Sequence, residues 1–519
     1  MEDNLFTLEI PKVNNNIFNF NERQCSSIID SSVSGIFSVL MSFGCCAPII
    51  CTPQQSPTPG LSSLICGKLE SKIRNHLINT KSPLSLSNPQ ASPNQPRPLL
   101  LVVDRRIDLA GPLKHSASYN ALIDEILGIN SNQIQIPGGK SFDIDRRDWF
   151  WRENSTKSFP KVAEAVEIAL KTYKTEYDRV LQTTPGMTED LMKSAGETTS
   201  ASGTSANSTT SNSTSSNSLT PEQLKIAINV LPELTERKRL IDTHLQISTA
   251  LLDSIKTRDL GTLFNIEQEI VNSQLSSVNN TNNNMMVTST ILSTLKDSKI
   301  GNSNDKIRLL LIYLIHNFKK LSNSNFIQES LDILKPNSDD LKTIQSVLNI
   351  LAGDNRSDSD SINPNNISNN FNNSKLNSPV NQNPDKPLTS SNFGDLFNRI
   401  SSTTNVLVSS VKSLIPVGGV VSESPLTKFV DSTYNQVTTG KQGLPISVID
   451  PRPKTAQINQ NLHSIDHIIL FIIGGAAYSE YDNLLEHFEK SKLLQNLKFT
   501  FGVTEILNPK KFLNELRGE

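Results

Sequence analysis

Two stretches, Leu99-Leu100-Leu101-Val102-Val103-Asp104 and Ile468-Ile469-Leu470-Phe471-Ile472-Ile473-Gly474-Gly475, set the fold. Each is an uncharged run of aliphatic, β-rich residues closed by an acid or a turn former, the pattern of a strand buried on both faces of a parallel sheet. The first leads into a helical stretch, Ala117 to Leu127, and the second into the amphipathic stretch Tyr478 to Lys490. Outward from them, Ile28, Ile36, Val39 and Leu40 share a helix face, Ala47 to Cys51 reads as a strand and Leu61 to Leu77 as a helix. Towards the other end, Lys498 to Val503 reads as a strand and Pro509 to Leu516 as a helix. A strand pair at either end is marginal by itself, so the expectation is an α/β fold: one parallel sheet built from both chain ends, with a large, mostly helical insertion between them.

The middle changes period. Leu234, Ile241, Leu245, Leu252 and Ile255 are spaced 7, 4, 7 and 3, one stripe of a long helix. Lys238 and Ser248 interrupt that stripe, Leu240, Ile247 and Leu251 widen it, and Arg239, Asp242 and Asp253 lie on the other flank. Asp305 to Leu321 reads as a second helix, with Asp305 placed to suit the dipole of its first turn. Thr198 to Ser218 is Ser, Thr or Asn at 18 of 21 positions and Ser361 to Pro384 holds 10 Asn in 24, compositions that cannot bury enough apolar area to offset chain entropy. The expected divisions are 21–155 for the first part of the α/β domain, 156–445 for the helical insertion, with disordered tracts at 185–220 and 353–392, and 446–519 for the second part.

Over 519 residues, 49 Lys and Arg against 51 Asp and Glu give a net charge of −2, which excludes a dedicated nucleic-acid or anionic-membrane surface by overall charge. The five Cys all fall within the first 66 residues, an odd count that reads as reduced cytosolic thiols, not a disulfide framework. Met1 to Glu9 carries Glu2, Asp3 and Glu9, unlike a signal peptide. Ser31 to Gln55 is uncharged, but five Ser interrupt it and Gly44 and Pro48 break it, so it reads as a helix followed by a strand and not as a membrane span.

Motifs for chemistry are weak. Gly138-Gly139-Lys140-Ser141 lacks the earlier Gly of a phosphate loop and precedes an alternating, strand-like segment, so it reads as a surface turn. Gly474-Gly475 sits where backbone N–H groups could hold an anion, but without further glycines it reads as a turn that lets a helix approach the sheet, with Glu480 a first-turn dipole partner and Tyr481 a packing residue. Asp104, Arg105, Asp108 and His115 could form an acid/base site at a strand's C-terminal end. The plainer reading pairs Asp104 with Arg105, gives Asp108 the loop, and puts His115 and Tyr119 on one side of a helix. Trp149 and Trp151 read as packing residues, and no Cys spacing matches a metal site.

Leu99 to His115 with Tyr119, and Phe471 to Tyr481, resemble the Sec/Munc (SM) family of syntaxin-binding, SNARE-regulating proteins, and Gly502 to Asn508 with Phe512-Leu513 resembles that family's C-terminal strand and helix. Leu231-Pro232-Glu233-Leu234 running into Lys238 to His244, and Asp305 to Leu309, resemble the SLY-type branch that works between endoplasmic reticulum and Golgi. The resemblance implies an SM-type fold without the family's first domain, no catalysis, no cofactor and no metal. Asp104, Arg105, Asp108, His115, Tyr119, Gly474, Gly475, Tyr478, Glu480 and Tyr481 are then structural family motifs, and Arg237, Lys238, Arg239 and Asp242 are SNARE-contacting positions on a helical arm. It also implies syntaxin-type and other SNARE partners, vesicle tethering factors, no nucleic acid, and a cytoplasmic protein held peripherally at ER and Golgi membranes. Pro185 to Thr220 falls where that branch has a lid over the arm. The rival expectation is an α/β hydrolase or nucleotide-binding enzyme using the loops at 104–115 and 474–475.

Overall fold

The computed structural model describes residues 4–18, 22–44, 47–54, 60–79, 97–130, 132–137, 139–144, 147–183, 221–275, 281–321, 325–353, 408, 411, 424–441, 443–452 and 464–518. The two low-complexity tracts, the 185–220 stretch expected as a lid, and Cys45 and Cys46 lie outside them. The described chain forms two compact units, one of Met1–Gly128, Ile255–Pro384 and Gly418–Glu519 and the other of Ile129–Ser254 and Asp385–Val417.

The first unit holds strands β1 (Leu5–Thr7), β2 (Ile49–Pro53) and β3 (Arg97–Asp104), separated by helices α1 (Asn14–Phe18), α2 (Glu22–Ser42) and α3 (Leu61–Asn79), and followed by α4 (Tyr119–Ile126). The second unit begins with β4 (Ile129–Asn130), β5 (Gln133–Ile136) and β6 (Lys140–Asp143), a small antiparallel sheet, then α5 (Trp149–Asn154), α6 (Phe159–Thr183) and most of α7 (Pro221–Arg258). The chain re-enters the first unit with α8 (Leu260–Leu275), α9 (Thr281–Lys296), α10 (Ser303–Leu321), α11 (Phe326–Leu334), α12 (Ser338–Gly353) and α13 (Pro425–Thr439). It ends with β7 (Ile446–Ile449), β8 (Ile465–Ile473), α14 (Tyr478–Lys490), β9 (Lys498–Val503) and α15 (Pro509–Arg517).

The large sheet runs β1-β9-β8-β3-β2-β7, parallel throughout except for β7. β3 and β8, more than 350 residues apart in sequence, are central neighbours, with Val102 opposite Phe471 and Val103 opposite Ile472. The two chain ends therefore build one sheet, as expected from its apolar runs. Side chains alternate across it. Leu99, Leu101, Val103, Ile468, Leu470 and Ile472 pack with Leu426, Phe429, Tyr481 and Leu484 on one face, while Leu100, Val102, Ile469, Phe471 and Ile473 pack with α2 and α3 on the other. Stretch Cys25–Ser42 of α2 is long and apolar enough to cross a membrane by length and composition. Here Cys25, Ile29, Val33, Ile36 and Leu40 are buried in the second face of the sheet core. Cys51 and Cys66 are buried free thiols, and burial pushes Cys51 up to about 12, so they behave as core residues.

Candidate functional site

Chain reversal in the sheet defines where a ligand would sit. β2 reaches β3 through α3 on one face, whereas β8 reaches β9 through α14 on the other, so the winding reverses between β3 and β8. In open α/β sheets the crevice beyond the C-terminal strand ends at such a point is the usual ligand site. Here Arg105 occupies it, with no exposed surface. Its Nη1 donates to the Gly475 carbonyl (3.1 Å) and to Glu480 Oε2 (2.9 Å), and its Nη2 donates to the Asp108 carbonyl (2.5 Å) and to Glu480 Oε1 (2.7 Å).

Glu480 lies in the first turn of α14, where its Oε2 also accepts from the Ala477 N–H (3.0 Å). Burial raises its pKa, against the pull of Arg105. Asp108 Oδ1 accepts from the backbone N–H groups of Ala110 and Gly111 and shapes the loop. Both turn glycines have positive φ, +92° at Gly474 and +76° at Gly475, and a Cβ at Gly474 would stand 2.3 Å from Asn14 Oδ1. The Gly474 N–H donates to Thr504 Oγ1 and its carbonyl accepts from Asn14 Nδ2, so this turn is knitted into the fold. Tyr119 and Tyr481 are buried, Tyr481 against Phe501, and Tyr478 lines a small cleft with Lys114, Asp124 and Asn508.

Two expectations need correcting. Asp104 does not pair with Arg105: its carboxylate accepts from the Arg106 N–H (3.1 Å) and faces the Arg106 guanidinium, while Arg105 turns inward to Glu480. A local pair across adjacent residues cannot follow Arg105 into the crevice, where its charge needs a buried partner. His115 and Tyr119 do not share a helix side, because α4 begins at Tyr119 and His115 lies in the preceding loop, bound to distant groups.

Those groups form a second buried cluster. His115 Nδ1 lies 2.6 Å from Glu267 Oε1 and its Nε2 lies 3.4 Å from Asp305 Oδ1. Arg258 bridges Asp305 (2.5 and 3.0 Å) and Glu125 (2.8 Å), and Arg308 binds Glu125 (2.7 Å) and the carbonyls of Leu113 and Lys114. Asp305 does occupy the first turn of α10, as the sequence indicates, but its carboxylate serves this cluster as much as the helix end. Burial opposes charge on Glu125, yet Arg308, His115 and Arg258 outweigh it and hold the carboxyl down at about 2; Asp305 is held low in the same way. One donor atom each from His115, Glu125 and Asp305 falls within 4.8 Å, a spacing that a cation could use. The guanidinium groups of Arg258 and Arg308 already stand on those carboxylates, and their positive charge opposes a metal there.

In the second unit, α7 buries Leu234, Leu240, Ile241, Leu245, Ile247, Leu251 and Leu252, with Ser248. The apolar stripe is therefore core, and the side of α7 open to a partner is its polar one. Arg239 is exposed and paired with Glu236 (2.6 Å), while Arg237 pairs with Glu176 (2.5 Å) and stacks over the Trp149 ring at 5.5 Å. Lys238 and Asp242 are half-buried, and Asp242 is raised by burial against the pull of Lys238. His244 is buried with Nε2 2.9 Å from Asp148, the N-cap of α5, and its ring lies 4.5 Å from that of Phe150. The sequence reading did not assign roles to Arg258, Glu267 or Arg308. The available signal was Asp305 and Arg308, three apart and flanking the apolar run Leu309 to Ile315 of the same helix.

The Sec1 family model matches residues 1–515. Protein sly1 of Schizosaccharomyces pombe is 27% identical over 554 residues, an alignment covering 99% of this chain and 75% of the relative. SEC1 family transport protein SLY1 of Arabidopsis thaliana is 27% identical over 529 residues, covering 99% of this chain and 73% of its own length. Among solved structures, Sly1p in complex with an N-terminal peptide of Sed5p shares the fold with a TM-score of 0.66 at 24% identity, covering all of this chain and 72% of that one. The SM protein Vps45 in complex with the Qa SNARE Tlg2 gives 0.59 at 16% identity, covering 99% and 74%.

Proposed function

The chain belongs to the Sec1 family, and on that premise we propose that it is a SNARE-binding accessory protein of vesicle docking and fusion, acting between endoplasmic reticulum and Golgi as a member of the SLY-type branch. The single observation that carries this is the family match over residues 1–515, joined to relatives named for SLY1 over nearly the whole chain. Its partners in this reading are a syntaxin-type SNARE, other SNAREs and vesicle tethering factors, and it reaches membranes through them. The switch-point crevice supports a non-enzymatic role, since the position that an α/β enzyme would give to a ligand is filled by Arg105 and Glu480. This weighs against the hydrolase or nucleotide-enzyme alternative on the loops at 104–115 and 474–475.

On α7 the reading assigns partner contact to the charged positions Arg237, Lys238, Arg239 and Asp242, not to the Leu and Ile side chains of the apolar stripe, which are buried. Charged positions on a rigid helix set register and encounter rate with a helical partner. In this proposal the arm is the helical part of the second unit, α6 and most of α7. The test is a fusion assay with vesicles carrying ER–Golgi SNAREs, in which added protein raises the rate of lipid mixing. A folded chain that leaves the rate unchanged and binds no SNARE overturns the reading. Thermal denaturation with ATP or GTP checks the alternative, because ligand at about 100 times its Kd would add ~2.7 kcal/mol of stability.

A further inference from the structure

We propose that docking of the loop Leu113 to Ser118 onto α8 and α10 takes up one proton at His115, so that this unit closes more firmly as pH falls through neutrality. The argument starts from the hydrogen-bond inventory of imidazole. A neutral ring carries one N–H and one lone pair. The His115 ring is buried with a carboxylate on each side, Glu267 Oε1 at 2.6 Å from Nδ1 and Asp305 Oδ1 at 3.4 Å from Nε2. In either neutral tautomer one nitrogen would turn its lone pair toward a carboxylate oxygen. The imidazolium donates to both.

Charge balance gives the same answer independently. The groups that face this ring come from every element around it: Glu125 of α4, Arg258 at the end of α7, Glu267 of α8, and Asp305 and Arg308 of α10. Three carboxylates oppose two guanidinium groups, so the buried cluster carries one excess negative charge unless His115 is protonated. An uncompensated charge at a site this dry is unfavourable. Burial and the nearby Arg308 work against a charged ring, but Glu267 and Asp305 outweigh them and hold His115 above its ordinary 6.5.

The proton is coupled to the loop by covalent proximity. The His115 N–H itself donates to Glu267 Oε2 (2.8 Å), and the carbonyls of the two preceding residues, Leu113 and Lys114, accept from Arg308. Because the docked value is raised, the stabilisation is fully present below pH 6.5 and fades as pH rises through the docked value. Between the two, each pH unit changes the docking constant tenfold.

The decisive experiment is long-range proton–nitrogen NMR of the full chain labelled at its seven histidines, with His115→Gln identifying the signal. The expected spectrum shows both His115 ring nitrogens in the imidazolium range at pH 7, converting at alkaline pH. A neutral-tautomer pattern at pH 7 overturns the proposal. Hydrogen exchange of the 113–118 amides provides a second reading: after correction for intrinsic exchange, protection in the wild type falls by up to tenfold per pH unit above neutrality and stays level in His115→Gln. Equal slopes in the two proteins also overturn it. If the variant fails to fold, the wild-type ring signal is assigned by exclusion using single substitutions of the other histidines, and the nitrogen shifts decide alone.

Discussion

Replacing Glu480 by Ala strips the Arg105 guanidinium of both carboxylate contacts, at 2.7 and 2.9 Å, and removes the acceptor for the Ala477 N–H at 3.0 Å. Arg105 is fully buried and keeps only the carbonyls of Gly475 and Asp108, which do not neutralise its charge. Breaking a buried ion pair from one side costs ~3–5 kcal/mol, because the surviving charge is left uncompensated. The lost helix-start acceptor adds about 1 kcal/mol. Domains have ~5–15 kcal/mol of stability in all, so Glu480→Ala is expected to remove a large part of the reserve of the sheet unit. The double variant Arg105→Met with Glu480→Leu fills the crevice without charge and is expected to be more stable than Glu480→Ala alone. Hydrogen exchange of the β3 and β8 amides under mild urea reports this unit even when the second unit unfolds separately. A cost for Glu480→Ala below about 1 kcal/mol, or a double variant as damaged as the single one, would refute the assignment of Arg105 and Glu480 as a mutually dependent plug.

Gly474→Ala puts a Cβ 2.3 Å from Asn14 Oδ1 at a φ of +92°, and a fall of ~2 kcal/mol or more in the urea-derived stability is expected. Glu125, ordinarily titrating at 4.5, is held at about 2, so its contribution is present above pH 4.5 and lost as pH falls toward 2. The loss is ~3 kcal/mol, and Glu125→Gln is expected to flatten this part of the acid denaturation profile. Arg239→Glu, at an exposed site paired with its helix neighbour Glu236, is expected to change the melting temperature little. In combination with Arg237→Glu and Lys238→Glu it is expected to weaken SNARE association by about tenfold, more at low salt than at high, as seen in surface-immobilised binding kinetics.

The sheet was legible because β3 and β8 are buried on both faces and so show uninterrupted apolar runs, from Leu99 and from Ile468, that few other structures require. The thin edges were not: β1 is three residues long and β7 four, and segments that short lack a detectable period. At the crevice, the residue types were found but their partners were misjudged. Arg105 joins Glu480 across 375 positions, and His115 joins Glu267 and Asp305 across 152 and 190, separations at which sequence spacing has no geometric meaning. Nearest-neighbour pairing was the only option that spacing could offer for Asp104 and Tyr119. On α7 the period located the apolar stripe, but period alone cannot say whether such a face is covered, and here Ile241, Ile247 and Leu251 are core.

SNARE binding is tested by calorimetric titration of the intact, cooperatively melting chain with an assembled SNARE four-helix bundle from the ER–Golgi step. Saturable binding that is weakened when Arg237, Lys238 and Arg239 are reversed in charge is the predicted result. A well-folded chain that gives no binding heat with the bundle, and none with its syntaxin-type component alone, would contradict it.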